Sequence, residues 1–123
     1  MSGAVKIQWL DQPEEHDYPA AQSYLVLIYD DKQAGHFVAA LKTAAVTQFK
    51  AKDIFRASSL ALLGNENSHV KKDHEKISAG HPISPLLLVR DSARGKVVIA
   101  DGYHRLCAVY LFDEDALIPC KIV

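Results

Sequence analysis

The chain has 123 residues, of which 49% are apolar and 24% charged, enough for one domain with a modest core and too apolar for disorder. Lysine and arginine total 14 against 15 acids, so no overall positive field draws the molecule to nucleic acid or anionic lipid, and any anion site must be local. The opening MSGAVKIQWLDQ has no charged stretch followed by an apolar one, and no run approaches the roughly 18 apolar residues of a membrane span, so a cytoplasmic protein without membrane partners is expected.

In chain order, AVKIQWLD (4–11) alternates Val5, Ile7 and Trp9 with Lys6 and Gln8, the period of a half-buried edge strand. Pro13 and Pro19 precede an apolar stretch whose Tyr24, Leu25, Leu27 and Ile28 are spaced for a helix beginning near Asp17 or Pro19. A second helix, 33–46, gathers Phe37, Leu41, Ala44 and Ala45 on one face. From 47 to 58, TQFKAKDIFRAS resumes the period of two through Phe49, Ala51 and Ile54, predicting a strand that leads into a loop. Gly64-Asn65 marks a turn and Asn67 or Ser68 a cap, followed by a helix from His69 to Gly80 with Val70 and Ile77 on its apolar side.

Leu86 to Val89 and Lys96 to Ala100 read as a hairpin around the turn residues 91–95. YHRLCAVYLF (103–112) reads as a helix buried nearly all round, and the last residues as a strand pinned in the sheet. The expected fold is α+β, a small mixed sheet flanked by helices. Cys107 and Cys120 sit in apolar runs without metal spacing, and are expected to be buried, reduced thiols.

The join between the hairpin and this helix, Asp101-Gly102-Tyr103-His104-Arg105, interrupts two apolar elements with polar or special residues. The leading amides of a helix have no intrahelical acceptor and carry about half a positive charge, so an anion is their natural occupant. Gly102 permits the tight turn and the close approach of a phosphate. Arg105 offers a bidentate grip, and His104 a hydrogen bond or a proton near neutral pH. Two cations in a first turn oppose the macrodipole, and a bound anion would offset that. On spacing alone the competing reading stands level: Asp101 caps the helix and pairs with Arg105, forming a turn that binds nothing.

The order strand, DGYHR, buried helix and final strand resembles the superfamily that joins the ParB amino-terminal domain with sulfiredoxin, whose members carry Gly-x-[His/Arg]-Arg at this join. DIFRAS, HVKKDHEKISAGHPISPLLLVRD and GKVVIADGYHRLCAV are similar to the family core in order and spacing. The likeness covers roughly 47–123, leaving 1–46 as an added strand and helices. It implies a loop that grips nucleotide phosphates, as with ATP in sulfiredoxin, CTP in ParB and ADP in a free-serine kinase. Gly102, Tyr103, His104 and Arg105 would then meet the phosphates, with Arg56, Ser68, His69, Lys71 and Lys72 as further contacts. Asp101 precedes them as in the kinase's Asp-Gly-His-His-Arg.

Three departures limit the activity that the resemblance implies. Tyr103 stands where sulfiredoxin needs its cysteine, which excludes that chemistry. ParB has Gly-Glu-Arg-Arg and a DNA-reading motif downstream, whereas this chain ends after the core and is near neutral. The kinase's glutamate has no counterpart in RASSLALLGNENS before Glu66. The expectation is therefore a protein that binds a nucleotide or another phosphorylated small molecule. Turnover, if any, would be phosphoryl transfer or hydrolysis with Asp101, His104 or Glu15 handling the proton and Mg²⁺ bridging oxygens. The alternative is a partner-docking or regulatory module that keeps the fold without turnover. A homodimer is compatible with either, and nucleic acid is not an expected partner.

Two other clusters carry a chemical and a structural reading. PEEHDYP (13–19) packs Glu14, Glu15, His16 and Asp17 between prolines, either a general base or Mg²⁺ carboxylate reaching the 101–105 loop, or an acidic helix start. His69 and Asp73 share a helix face beside His74, but lack a third ligand, so a solvated face is the better reading and no metal site is assigned.

Overall fold

The computed structural model describes residues 6–123. Its elements are α1 (Asp17–Leu25), α2 (Asp31–Thr43), β1 (Thr47–Lys50), α3 (Ala51–Ser58), α4 (Ser68–Ser78), β2 (Leu86–Asp91), β3 (Lys96–Asp101), α5 (Tyr103–Phe112) and β4 (Leu117–Ile122). The four strands form one mixed sheet in the order β1-β4-β2-β3. β1 with β4 and β2 with β3 run antiparallel, while β2 and β4 are parallel. The fold is thus α+β with a small mixed sheet, as the sequence predicts.

Strand alternation divides the core into two layers. Leu86, Leu88, Ile99, Ile118 and Cys120 face α3, α4 and α5, meeting Ile54, Val70, Ile77 and Leu106 to Val109. Leu87, Val89, Val98 and Ala100 face the other way, onto Tyr18, Ala21 and Leu25 of α1 and Ala34, Val38 and Leu41 of α2. The stretch 1–46 therefore supplies the second layer through its two helices. β2, buried on both faces from Leu86 to Val89, is apolar at every one of those positions for that reason.

Helix boundaries follow local chemistry. Asp30 accepts from the Gln33 amide to start α2, and Asn67 accepts from the His69 and Val70 amides to start α4. Gly80, at φ 78°, closes α4, with the His81 amide reaching back to the Lys76 carbonyl.

Three expectations are corrected. The strand over 47–58 stops at Lys50, because Ala51, Ile54 and Ser58 recur at helical spacing and bury one stripe of α3. The edge strand over 4–11, of which 4 and 5 lie outside the described residues, is a single parallel bridge of Trp9 to Ile83. Pro82 and Pro85 flank that bridge and cannot donate to a longer ladder. The helix 103–112 is buried at Leu106 to Val109 but leaves Leu111 exposed and Tyr110 half-buried. No helix among the described residues is long and apolar enough to cross a membrane.

Candidate functional site

β3 runs directly into α5 with Gly102 as the only hinge. Gly102 has φ 110°, a region that favours glycine, and a Cβ there would stand 2.7 Å from Leu86 Cγ. Packing alone thus accounts for the glycine. Unlike α2 and α4, α5 has no side-chain cap. Asp101 does not cap it. Its Oδ2 instead accepts from Arg105 Nη2 at 2.9 Å.

That guanidinium is engaged on three sides. Nε donates to the Ser84 carbonyl at 3.1 Å, and Nη2 also to the Pro85 carbonyl at 3.4 Å. Arg105 therefore ties the start of β2 to the end of β3 and lines a small polar cavity of about 110 Å³ with Glu14, His16, Asp17, Lys76 and Ser84. Burial pushes the Asp101 carboxyl up, and the Arg105 charge and hydrogen bond pull it back only in part. The Asp101–Arg105 pairing of the structural reading is present, while the Asp101 cap is not.

On the other side of the turn lies a cavity of about 450 Å³, lined by Asp101, Gly102, Tyr103 and His104 together with Ala20, Tyr24 and Leu60. His104 meets His69 of α4, ring centroids 4.9 Å apart and tilted 38°. Burial and the neighbouring His69 hold His104 below the usual histidine range, so it is a neutral imidazole at pH 7. The Tyr103 hydroxyl donates to the Ala61 carbonyl, fastening the loop that forms one wall. Burial raises the Tyr103 phenol.

The structure thus brings Asp101, Gly102, Tyr103, His104 and His69 together. Ser68, Lys71 and Lys72 are exposed on α4, and it is His69 that turns to α5. Arg56 stands apart on α3, 87% exposed and 3.8 Å from Asp53. Glu15 is also exposed. The acids of that segment that reach the join are its neighbours. Glu14 accepts from the Ser84 hydroxyl at 3.1 Å, and Asp17, only 3% exposed, accepts from the Glu14 amide at 2.9 Å. Of the second His cluster, His74 stacks on Phe112 rather than joining His69. Among the described residues, no three His, Cys, Asp or Glu side chains are grouped to hold a metal ion.

Sequence reading missed Tyr24 and Leu60, the apolar walls of the cavity. Nothing in their local pattern marks them, since each reaches the site only through the packing of α1 and of the α3–α4 loop. No protein-family model, curated protein or solved structure matches this chain.

Proposed function

We propose that this protein binds the phosphate of a nucleotide, ATP, ADP or CTP, or of another phosphorylated small molecule, in the cavity beside Gly102. The observation that carries the reading is the cavity lined by Gly102, Tyr103 and His104 at the start of α5, with His69 from the first turn of α4 against the His104 ring. The first-turn amides of α5 have no capping side chain, and a phosphate oxygen is a suitable acceptor for them. Tyr24 and Leu60 offer apolar surface on which a base could lie. The likeness to the ParB and sulfiredoxin superfamily rests on the DGYHR join and supports the same reading.

In this proposal Arg105 positions the turn instead of gripping the ligand, since its Nε and Nη2 donors are engaged by Ser84, Pro85 and Asp101 and the side chain lines the small polar cavity, not the one beside His104. Asp101 is the one acid lining the cavity, and Arg105 holds it. Binding is therefore better supported than turnover, which favours the module over the phosphotransferase. If phosphoryl transfer occurs, neutral His104 is the group able to accept a proton, with Mg²⁺ brought by the nucleotide.

The test is a thermal-shift series with ATP, ADP, CTP and GTP, with and without Mg²⁺, on wild type and His104→Ala. A ligand at a hundred times its Kd stabilises by about 2.7 kcal/mol, readily seen. No shift for any nucleotide would remove the nucleotide as ligand, and an equal shift in the variant would remove the cavity beside Gly102 as the site. Phosphate release measured alongside separates a module from an enzyme.

A further inference from the structure

Residues opposite one another in paired strands put their side chains on the same face of the sheet, and alternation carries that face along each strand. Leu86 and Leu88 of β2 face α3, α4 and α5, so Arg90, two residues on, belongs to the same face. Its neighbours in register agree: Arg90 lies opposite Val97, Leu88 beside Ile122, and Phe49 opposite Ile118. The face that carries the larger core thus ends in a guanidinium, where the alternation calls for an apolar side chain.

α3 has only eight residues, about 12 Å of helix, and a cavity of about 220 Å³ opens beside it over this end of the sheet. Its floor is Phe49, Leu88, Val97, Ile122 and Arg90, and Ile54 and Ala57 of α3 form a wall. Phe49 is 37% exposed, and Ala57, Val97 and Ile122 are half-buried, so the fold leaves this apolar surface partly uncovered. The cavity shares no lining residue with the one beside Gly102.

Charge and size identify the occupant. Of the four arginines, Arg56, Arg94 and Arg105 each face an acid, at 3.8, 3.6 and 2.9 Å. Arg90 is in no ion pair among the described residues. Asp53, which also borders the cavity, is the partner of Arg56. A guanidinium beside an apolar floor selects a planar carboxylate, which it can hold through two parallel hydrogen bonds. An apolar cavity of about 150 Å³ encloses benzene, so this one, of about 220 Å³, takes a ring with a short arm or a chain of similar bulk. It is too small for a helix, which is about 10 Å across.

We infer that this cavity binds a small carboxylic acid whose apolar body is about the size of one aromatic ring, with the body on Phe49, Val97 and Ile122 and the carboxylate on Arg90. The inference does not rest on a phosphate at Gly102, because the two cavities are separate. Isothermal titration calorimetry of the full chain uses 3-phenylpropionate and octanoate as aromatic and aliphatic probes, and at least one should bind. Amide shifts in the ¹⁵N-labelled protein should centre on 53–57, 88–90, 97 and 122. The uncharged 3-phenylpropanol and the cationic 3-phenylpropylamine should bind about tenfold more weakly or worse. Arg90→Gln, an exposed change, should lower the acid's affinity by a similar factor while leaving the melting temperature in place. Ala57→Leu, which adds three carbons to the wall, should abolish binding. No binding of either acid at millimolar concentration, equal binding of the alcohol or the amine, shifts confined elsewhere, or unchanged affinity in Arg90→Gln would overturn the proposal. So would a concentration-dependent dimer with Phe49 and Val97 in its interface, which would give this face to a second copy.

Discussion

At residue scale, the turn at 101–105 combines a conformational demand with an electrostatic one. Gly102 needs positive φ, and Leu86 leaves no room for a Cβ. Gly102→Ala is therefore expected to lower stability by about 1–3 kcal/mol in urea unfolding; an unchanged midpoint would mean the backbone relaxes freely. Asp101 and Arg105 are each 17% exposed, so removing one partner strands the other. Burial already raises the Asp101 pKa, and Arg105 works against that rise. A raised carboxyl pKa gives stability that is present below its unfolded value of 3.8 and lost as pH rises through the folded value. Arg105→Ala pushes the folded value higher, so its urea midpoint should fall further below wild type at pH 7 than at pH 4. His104 has the opposite sign. Its lowered pKa leaves stability that is full above 6.5 and lost as pH falls through the folded value. His104→Gln should flatten that acid-side loss, which melting curves between pH 7.5 and 5 would show.

At element scale, the same residues can satisfy two periods over a short span. Phe49 and Ala51 fit alternation, but Ala51, Ile54 and Ser58 fit a helix equally, and what decides is the partner. β4 offers β1 four register positions, after which the Ala51 and Lys52 amides bond Ala116 and Glu114 carbonyls and the chain turns into α3. Where a cap is written into the chain, the element is readable directly. Asn67 holds the first turn of α4, and Asn67→Ala should cost about 1 kcal/mol. Because that turn carries His69 to His104, the same variant should weaken any nucleotide thermal shift. An unaltered shift would show that His69 is not needed there.

At the scale of the whole molecule, both cysteines lie sealed in the layer under α5. Cys107 and Cys120 have no exposed surface, and burial raises both thiols, Cys120 to about 11. Thiolate is the reactive form, so both should react with a disulfide reagent at the rate of global opening. Rapid labelling of either in native buffer would mean that α5 lifts locally. A second buried group belongs to the opposite layer. Lys121, 3% exposed, donates from Nζ to the Lys42 carbonyl at 3.1 Å and lies 5.7 Å from the Tyr18 ring, closing the end of α2. At the end of a chain a lysine between apolar residues reads as solvent-facing, and only the docking of α1 and α2 shows otherwise.

Local chemistry in the chain determined most of the elements: the hairpin, the caps at Asn67 and Gly80, the buried helix after DGYHR, and a mixed sheet with helices. These follow from propensity, turn residues and periodicity, which act within a few positions. Tertiary structure decided what no local pattern carries. It turned Arg105 onto Asp101, Ser84 and Pro85, brought His69 to His104, left Glu15 in solvent while Glu14 and Asp17 reached the join, and set Tyr24 and Leu60 on one cavity with Gly102 and His104. The physical reason is that side-chain partners are chosen by burial and hydrogen-bond satisfaction across elements distant in sequence, and those distances close only when the two layers pack on the sheet.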